Sequence, residues 1–394
     1  MTASDVRCSN CGHDVPPFSY CVRCGSALHH DAGAGTGEPG EIGGPGQPGK
    51  GRRTGEYAAM PGEQVRAIRV ATTLFPQLPR SHVESFRVSL VILAAAIVAL
   101  AWLRLYPSAL VVAALGVPLL ATLYIRAVDV YEEEPLRVLA FTAGWGIAAG
   151  LLVGLLGRSI PAESPIASPG ALPVDLLVRG VVMTVIGLAA AAAGPLVLLR
   201  YPRFNDVLDG TTFGVTAGAW FLGAQALVTG IELLGGGLRP PGEPTAWIVR
   251  LLTLGVVTPV LWSSALGSLL GALWLRYRAP AQTAGSLGRI GDPAVAALVA
   301  GLLVAAGAAG QMLLGATLAL GWVAVLAAVG LVWLRRTIHL GLLEEASEIE
   351  IGPPIRCANC LRMTPRHTFC AHCGIALRAL PKGRGTRGRG EPGA

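Results

Sequence analysis

Eight cysteines are the residues best suited to chemistry in this chain, and all eight lie near its two ends. The first group reads Cys8-x2-Cys11-x9-Cys21-x2-Cys24, and the second reads Cys357-x2-Cys360-x9-Cys370-x2-Cys373. A Cys-x2-Cys turn brings two thiolates within reach of one tetrahedral ion, and a second such knuckle completes four ligands. The spacing is the same in both groups. At an offset of 349 residues, Asn10, Pro16, Gly25, Ala27 and Leu28 also match Asn359, Pro365, Gly374, Ala376 and Leu377. This is an internal duplication split by the rest of the chain. Gly12, Gly25 and Gly374 follow the second Cys of a knuckle, where the backbone calls for positive φ. Leu361 takes that place in the fourth knuckle. Segments this short have no core of their own, so bound metal would supply most of their folding free energy. Two structural zinc ions are therefore expected. His13, His29, His30, His367 and His372 lie in or beside the clusters. With four thiolates already available at each, these histidines are expected on the surface rather than as ligands.

What must position the clusters is a membrane-like middle. Of the 394 residues, 52% are hydrophobic and 14% charged, against roughly 25% charged in an ordinary soluble domain. That deficit argues against a soluble enzyme of this length. Spanning helices are expected over 86–104, 108–125, 136–156, 174–199, 210–234, 247–275, 293–313 and 317–335, each near the roughly 20 apolar residues a bilayer requires. Pro118, Pro195 and Pro259 fall inside these spans and should kink them. Gly144, Gly146, Gly150 and Gly154 place small residues along one span, where they let helices approach closely. Asp175 and Arg179 have the spacing of an ion pair on one helix face.

Arginines mark the orientation. The N-terminal flank carries Arg52, Arg53, Arg66, Arg69, Arg80 and Arg87. The loops after the second, fourth and sixth spans hold Arg126, Arg137, Arg200, Arg203, Arg276, Arg278 and Arg289, and Arg335 and Arg336 follow the eighth. The alternate loops hold only Arg104, Arg158 and Arg239. The positive-inside rule then puts both termini in the cytoplasm of a multi-pass plasma-membrane protein. The net charge of +7 fits such loops better than a nucleic-acid surface. A cytoplasmic location keeps thiols reduced, which disfavours disulfides, and no thioredoxin-like pattern surrounds the Cys-x2-Cys turns.

Both Cys segments resemble the zinc-ribbon modules common at the ends of bacterial membrane proteins. The expected fold class is an all-α polytopic membrane protein of about eight transmembrane helices, with a zinc-ribbon module at each terminus. The expected division is a ribbon over 1–30, a Gly/Pro-rich linker over 31–62 and a juxtamembrane segment over 63–85. A helical bundle over 86–338 follows, then a linker over 339–356, a ribbon over 357–378 and a basic Gly-rich tail over 379–394.

Two stretches of the middle carry a second resemblance. Asp129-Val-Tyr131-Glu132-Glu133-Glu134-Pro135-Leu136 leads into one span. Arg203-Phe204-Asn205-Asp206-Val207-Leu208-Asp209-Gly210 leads into another, continuing through Gly214, Gly218 and Phe221. Together they resemble the PrsW-type intramembrane metalloproteases over about residues 86 to 280. That family has a Tyr…Glu-Pro-Leu element and an Asp-Gly-x3-Gly-x3-Gly-x-Gly-Phe span. The resemblance assigns family-core places to Glu134, Asp209, Gly210 and Gln225. This chain departs from the family at its catalytic positions. Where the family has Glu-Glu-x-x-Lys, residues 194–200 carry no carboxylate. Gln225 stands at a family Glu, and no expected span contains a His. A catalytic metal needs about three His, Asp or Glu ligands beside an open water position.

The leading expectation is therefore a catalytically silent relative. Its bundle would anchor two cytoplasmic ribbons that bind a protein partner, in preference to a nucleic acid, beside the lipid bilayer. An active protease with relocated ligands would instead hold metal in the membrane core. A transporter would show inverted repeats and buried charges. Among the carboxylates, Glu132 to Glu134 read as a solvated loop, and Asp209 as a cap on its helix.

Overall fold

The computed structural model describes residues 5–9, 12–28, 80–128, 136–160, 174–202, 204, 207–235, 244–278, 291–348, 350–357, 360–374 and 377. The expected linker 31–62, most of the juxtamembrane segment and the C-terminal tail lie outside these residues. The chain divides into two compact units, one of residues 1–84 with 345–394 and one of residues 85–344.

The larger unit is helical. Its elements are α1 (Arg80–Trp102), α2 (Tyr106–Val128), α3 (Leu136–Ser159), α4 (Met183–Leu198), α5 (Val207–Thr229), α6 (Ile231–Gly235), α7 (Pro244–Leu252), α8 (Thr258–Arg278), α9 (Pro293–Leu313) and α10 (Ala316–Glu348). A π-helical turn, Leu176–Val182, runs straight into α4, and another, Thr253–Val257, joins α7 to α8. Among the described residues this gives eight long helical segments at the eight expected places. Six of these segments are long and apolar enough to cross a membrane. The chain is a multi-pass membrane protein. Of the other two, α1 has an apolar stretch of Val88–Trp102. The last, α5, is lined by Gly, Thr and Ala and is buried around most of its circumference. A helix surrounded by other helices does not have to satisfy lipid, so its hydropathy falls.

Small residues on both sides of α5 explain why it lies at the centre. A methyl placed on Gly146 of α3 would lie 2.5 Å from the Ala217 carbonyl oxygen. One on Gly150 would overlap the Phe221 backbone. On the other side, a methyl on Gly214 would lie 2.6 Å from the Leu266 carbonyl oxygen and 2.8 Å from Gly267 Cα of α8. One on Gly218 would lie 3.2 Å from Ser263 Cα. Both α3 and α8 thus touch α5 backbone to backbone, as small-residue seams allow in membranes. Beyond the seams, aromatic rings close the core: Phe221 stacks on Trp262 at 5.0 Å, and Phe213 meets Trp274 edge-on at 5.8 Å. A second apolar cluster joins α1, α2 and α7 through Ile97, Tyr106, Ala109 and Leu251. There Tyr106 stacks on Trp247 at 4.9 Å.

Prolines behave according to their setting. Pro293 opens α9, and the Asp292 carboxylate accepts the Ala294 N–H at 2.8 Å, as an N-cap with Pro at the first helical position should. Pro259 follows the π-helical turn 253–257, whose extra width takes up the clash a proline ring makes with the carbonyl four residues back. Asp175 and Arg179 do pair, at 3.4 Å.

Regular structure occupies part of the stretch 339–356, expected as a linker. Helix α10 runs on through Glu348, and a strand starts at Gly352. The sequence beyond Ile338 is rich in Leu and Glu and has no proline before Pro353, so no proline stops the helix at the end of the apolar run.

Candidate metal centres

Each chain end folds as a small two-knuckle module, and the duplication is visible in the hydrogen bonds. In the N-terminal module, β1 (Val6–Arg7) pairs antiparallel with β2 (Asp14–Val15), with Val6 opposite Val15. In the C-terminal module, β3 (Gly352–Arg356) pairs with β4 (Met363–Arg366), with Ile355 opposite Thr364. The register is the same at the offset of the repeat. Within the first knuckle the Cys8 N–H donates to His13 O and the Gly12 N–H to Cys8 O, at 2.9 and 2.8 Å. Their counterparts, Cys357 to Arg362 and Leu361 to Cys357, measure 2.9 and 2.8 Å. The second knuckles close through Gly25 N–H to Cys21 O and Gly374 N–H to Cys370 O, both at 2.9 Å.

These turns gather the sulfurs. The Sγ atoms of Cys357, Cys360, Cys370 and Cys373 all lie within 4.8 Å of one another, as do those of Cys8, Cys21 and Cys24. Cys11 lies outside the described residues. Cys8–Cys24, Cys360–Cys370 and Cys357–Cys373 are 3.6, 3.7 and 3.8 Å apart. A tetrahedral ion with metal–sulfur bonds of about 2.3 Å spaces its sulfurs about 3.8 Å apart. A disulfide needs about 2.05 Å. The described cysteines form no disulfides, and the two clusters can take a metal ion, with zinc a fitting choice.

Electrostatics point the same way. Burial, together with charge on Cys370 and Cys357, pushes the Cys360 thiol up to about 11. Cys370 is held far below the usual thiol range by hydrogen bonds from Cys357 and Cys373. Thiolates this close together repel one another. A divalent ion removes that repulsion. In the N-terminal module the Ser26 hydroxyl sits 3.0 Å from Cys24 Sγ and 3.4 Å from Cys8 Sγ. Such an outer hydrogen bond holds a sulfur ligand in place. The sequence reading missed Ser26, since nothing but its position after Gly25 marks it.

The two modules are packed on each other. The Tyr20 N–H donates to Ala371 O at 3.0 Å, and the Phe369 N–H donates to Val22 O at 2.9 Å. At the repeat offset these are the same bond made twice, so a pseudo-twofold axis relates the modules. His367 corrects an expectation. It is 6% exposed, and its Nδ1 lies 3.0 Å from Val22 O. It is buried by the opposing module and does not lie on the surface. His372 meets the Phe18 ring at 5.2 Å, and neither histidine belongs to a Cys cluster.

The family-core positions do not converge. Glu134 lies outside the described residues. Asp209 is buried in the first turn of α5, which begins at Val207. It is therefore inside the helix rather than its cap. Two extra turn residues, Val207 and Leu208, are apolar and buried, and this packing extends the helix backwards. Gly210 faces α8, where an added methyl would lie 2.7 Å from the Trp274 ring. Gln225 lies far along the same helix, beside Gly154 of α3. A rise of about 1.5 Å per residue separates Asp209 from Gln225 by about 24 Å, too far for one ion to touch both. Among the described residues, the groups able to hold a metal are the two Cys clusters.

No protein-family model, curated protein or solved structure matches the chain. What the fold and site define is a class: a multi-pass helical membrane protein whose chain ends carry Cys clusters able to hold a metal ion.

Proposed function

We propose that this protein is an integral membrane scaffold or sensor whose two terminal modules are zinc ribbons presented to a cytoplasmic protein partner. The observation that carries the reading is the pair of closely gathered thiol clusters, one near each end of a chain whose middle holds membrane-spanning helices. The arginine distribution along the sequence supports a cytoplasmic position for both ends. The bundle is read as a silent PrsW-like core. In it the Gly210–Gly214–Gly218 series serves as a packing seam against α8, and Asp209 and Gln225 occupy different ends of α5. A protein partner is favoured over nucleic acid because the modules are built around buried metal clusters rather than a basic groove with stacking aromatics.

The test is zinc per chain by elemental analysis, comparing the wild type with a variant carrying all eight Cys→Ser changes. The expected result is two ions in the wild type and none in the variant. An ion retained without cysteines would place metal in the membrane bundle and sink the silent-core reading.

A further inference from the structure

The pairing of the two modules explains a detail of the repeat that the cysteines alone do not. Three of the four knuckles end in glycine at positive φ: Gly12 at 73°, Gly25 at 71° and Gly374 at 65°. The fourth has Leu361 at φ 61°. Backbone conformation alone therefore does not decide which positions keep glycine. Surroundings do. A methyl on Gly25 would lie 2.8 Å from the Phe369 ring, and one on Gly374 would lie 2.8 Å from the Tyr20 ring. Each second-knuckle glycine is thus roofed by an aromatic side chain of the other module. A methyl on Gly12 meets nothing within 4 Å, and its counterpart Leu361 is 60% exposed. Both knuckle positions under the opposing module are glycine, whereas of the two that face open space one is Gly12 and the other Leu361.

The dyad bonds fall in the same place. Val22 lies between ligands Cys21 and Cys24, and Ala371 between Cys370 and Cys373. Their carbonyls accept the Phe369 and Tyr20 N–H groups. Cys21, Val22, Cys370 and Ala371 are at most 1% exposed. Each second knuckle therefore carries two thiols of a Cys cluster on one side and is held by the other module on the other.

We infer that the two clusters form one cooperative zinc-binding unit, in which metal at either end of the chain is retained through the docked module at the other end. The inference rests on zinc occupying both clusters. Loss of one ion loosens its knuckle, removes the roof from the opposing glycine and breaks both dyad bonds. The second ion is then released more easily. The chain's ends are clasped only while both sites are filled.

Zinc release from the full-length protein in detergent, into excess chromophoric chelator, tests this. The wild type is compared with a variant carrying Cys8, Cys11, Cys21 and Cys24→Ser, which keeps only the C-terminal site. Two net buried hydrogen bonds correspond to about a thirtyfold change in an equilibrium. The remaining ion should leave on the order of thirtyfold faster than either ion leaves the wild type, and the Phe369 amide should lose its exchange protection. Gly25→Ala in an otherwise intact chain should speed release from both sites. Gly12→Ala, with the same positive φ and no roof, should leave the C-terminal site at its wild-type rate. An unchanged release rate in the four-serine variant, with two ions in the wild type, overturns the coupling and leaves the zinc reading standing. A wild type without zinc overturns both. Equal effects of Gly25→Ala and Gly12→Ala on the C-terminal site also overturn the coupling, since backbone strain alone would then account for them.

Discussion

The seam between α5 and α8 makes a sharp mechanical prediction through Gly214→Ala. The added methyl would lie 2.6 Å from Leu266 O, 2.8 Å from Gly267 Cα and 2.9 Å from Gly267 N. All three are backbone atoms, so no side chain can rotate aside. Ordinary carbon contacts start near 3.5 Å, so the helices must part by most of an ångström. Overpacking of this kind costs about 1–3 kcal/mol. The separation also loosens the neighbouring contacts of Gly210 and Gly218. Alanine has its own helix preference over glycine, about 1 kcal/mol in water, and this must be removed from the comparison. Gly144→Ala supplies the reference: it lies inside α3, is exposed and has nothing within 4 Å of the added methyl. Propensity acts on both variants, so their difference isolates the seam. Gly214→Ala should be the less stable of the two by about 1–3 kcal/mol. For a unit of this size that is on the order of 2–4 °C per kcal/mol in the melting midpoint. Thermal scans in detergent, read by tryptophan fluorescence, suit the test because Trp262 and Trp274 are buried in the affected core. If Gly214→Ala melts with or above Gly144→Ala, the seam is not tightly packed and the central placement of α5 is wrong.

Other expectations come from single sites. Leu361→Gly should strengthen the C-terminal module by about 0.5–1 kcal/mol, because relief of the left-handed backbone outweighs glycine's extra entropy in the unfolded chain. Slower zinc release from that cluster would show it, and faster release would contradict it. Two ion pairs should respond differently to neutralisation. Arg158 and Glu232 meet at 2.9 Å, but the Glu232 side chain is 83% exposed, so Glu232→Gln should shift stability by less than about 0.5 kcal/mol. Asp175 and Arg179 are more sheltered, Asp175 just before a π-helical turn and Arg179 within it. Asp175→Asn should cost roughly 1–2 kcal/mol, below the 3–5 of a fully buried pair, and chemical denaturation in detergent compares the two.

Much of the molecule is legible from residue order because local rules are strong in these segments. Apolar runs near 20 residues have few alternatives to helix in a bilayer, so the eight helical segments lie where the sequence puts them. Fixed Cys-x2-Cys spacing leaves the thiols little choice but to converge, and seven of the eight are seen to do so. Asp175 and Arg179, one helical turn apart, pair for the same local reason. The end of α10 was harder to read. Nothing local separates an apolar span from the polar helix that continues it.

Longer-range arrangements needed the fold. Which helix occupies the centre depends on how glycines from α3, α5 and α8 meet, and one strand of sequence does not reveal which small residues face each other. The resemblance in the Asp209–Gly218 stretch could be read as a site or as a seam; the contacts of Gly210, Gly214 and Gly218 show the seam. Likewise, the repeat shows two similar modules, but not that they dock. The aromatic residues at positions 20 and 369 and the unequal fate of the knuckle glycines were present in the sequence. Their meaning appears only when Tyr20 covers Gly374 and Phe369 covers Gly25. Residues about 350 apart in the chain can be joined by a contact that neither segment encodes alone, and that contact is a property of the tertiary structure.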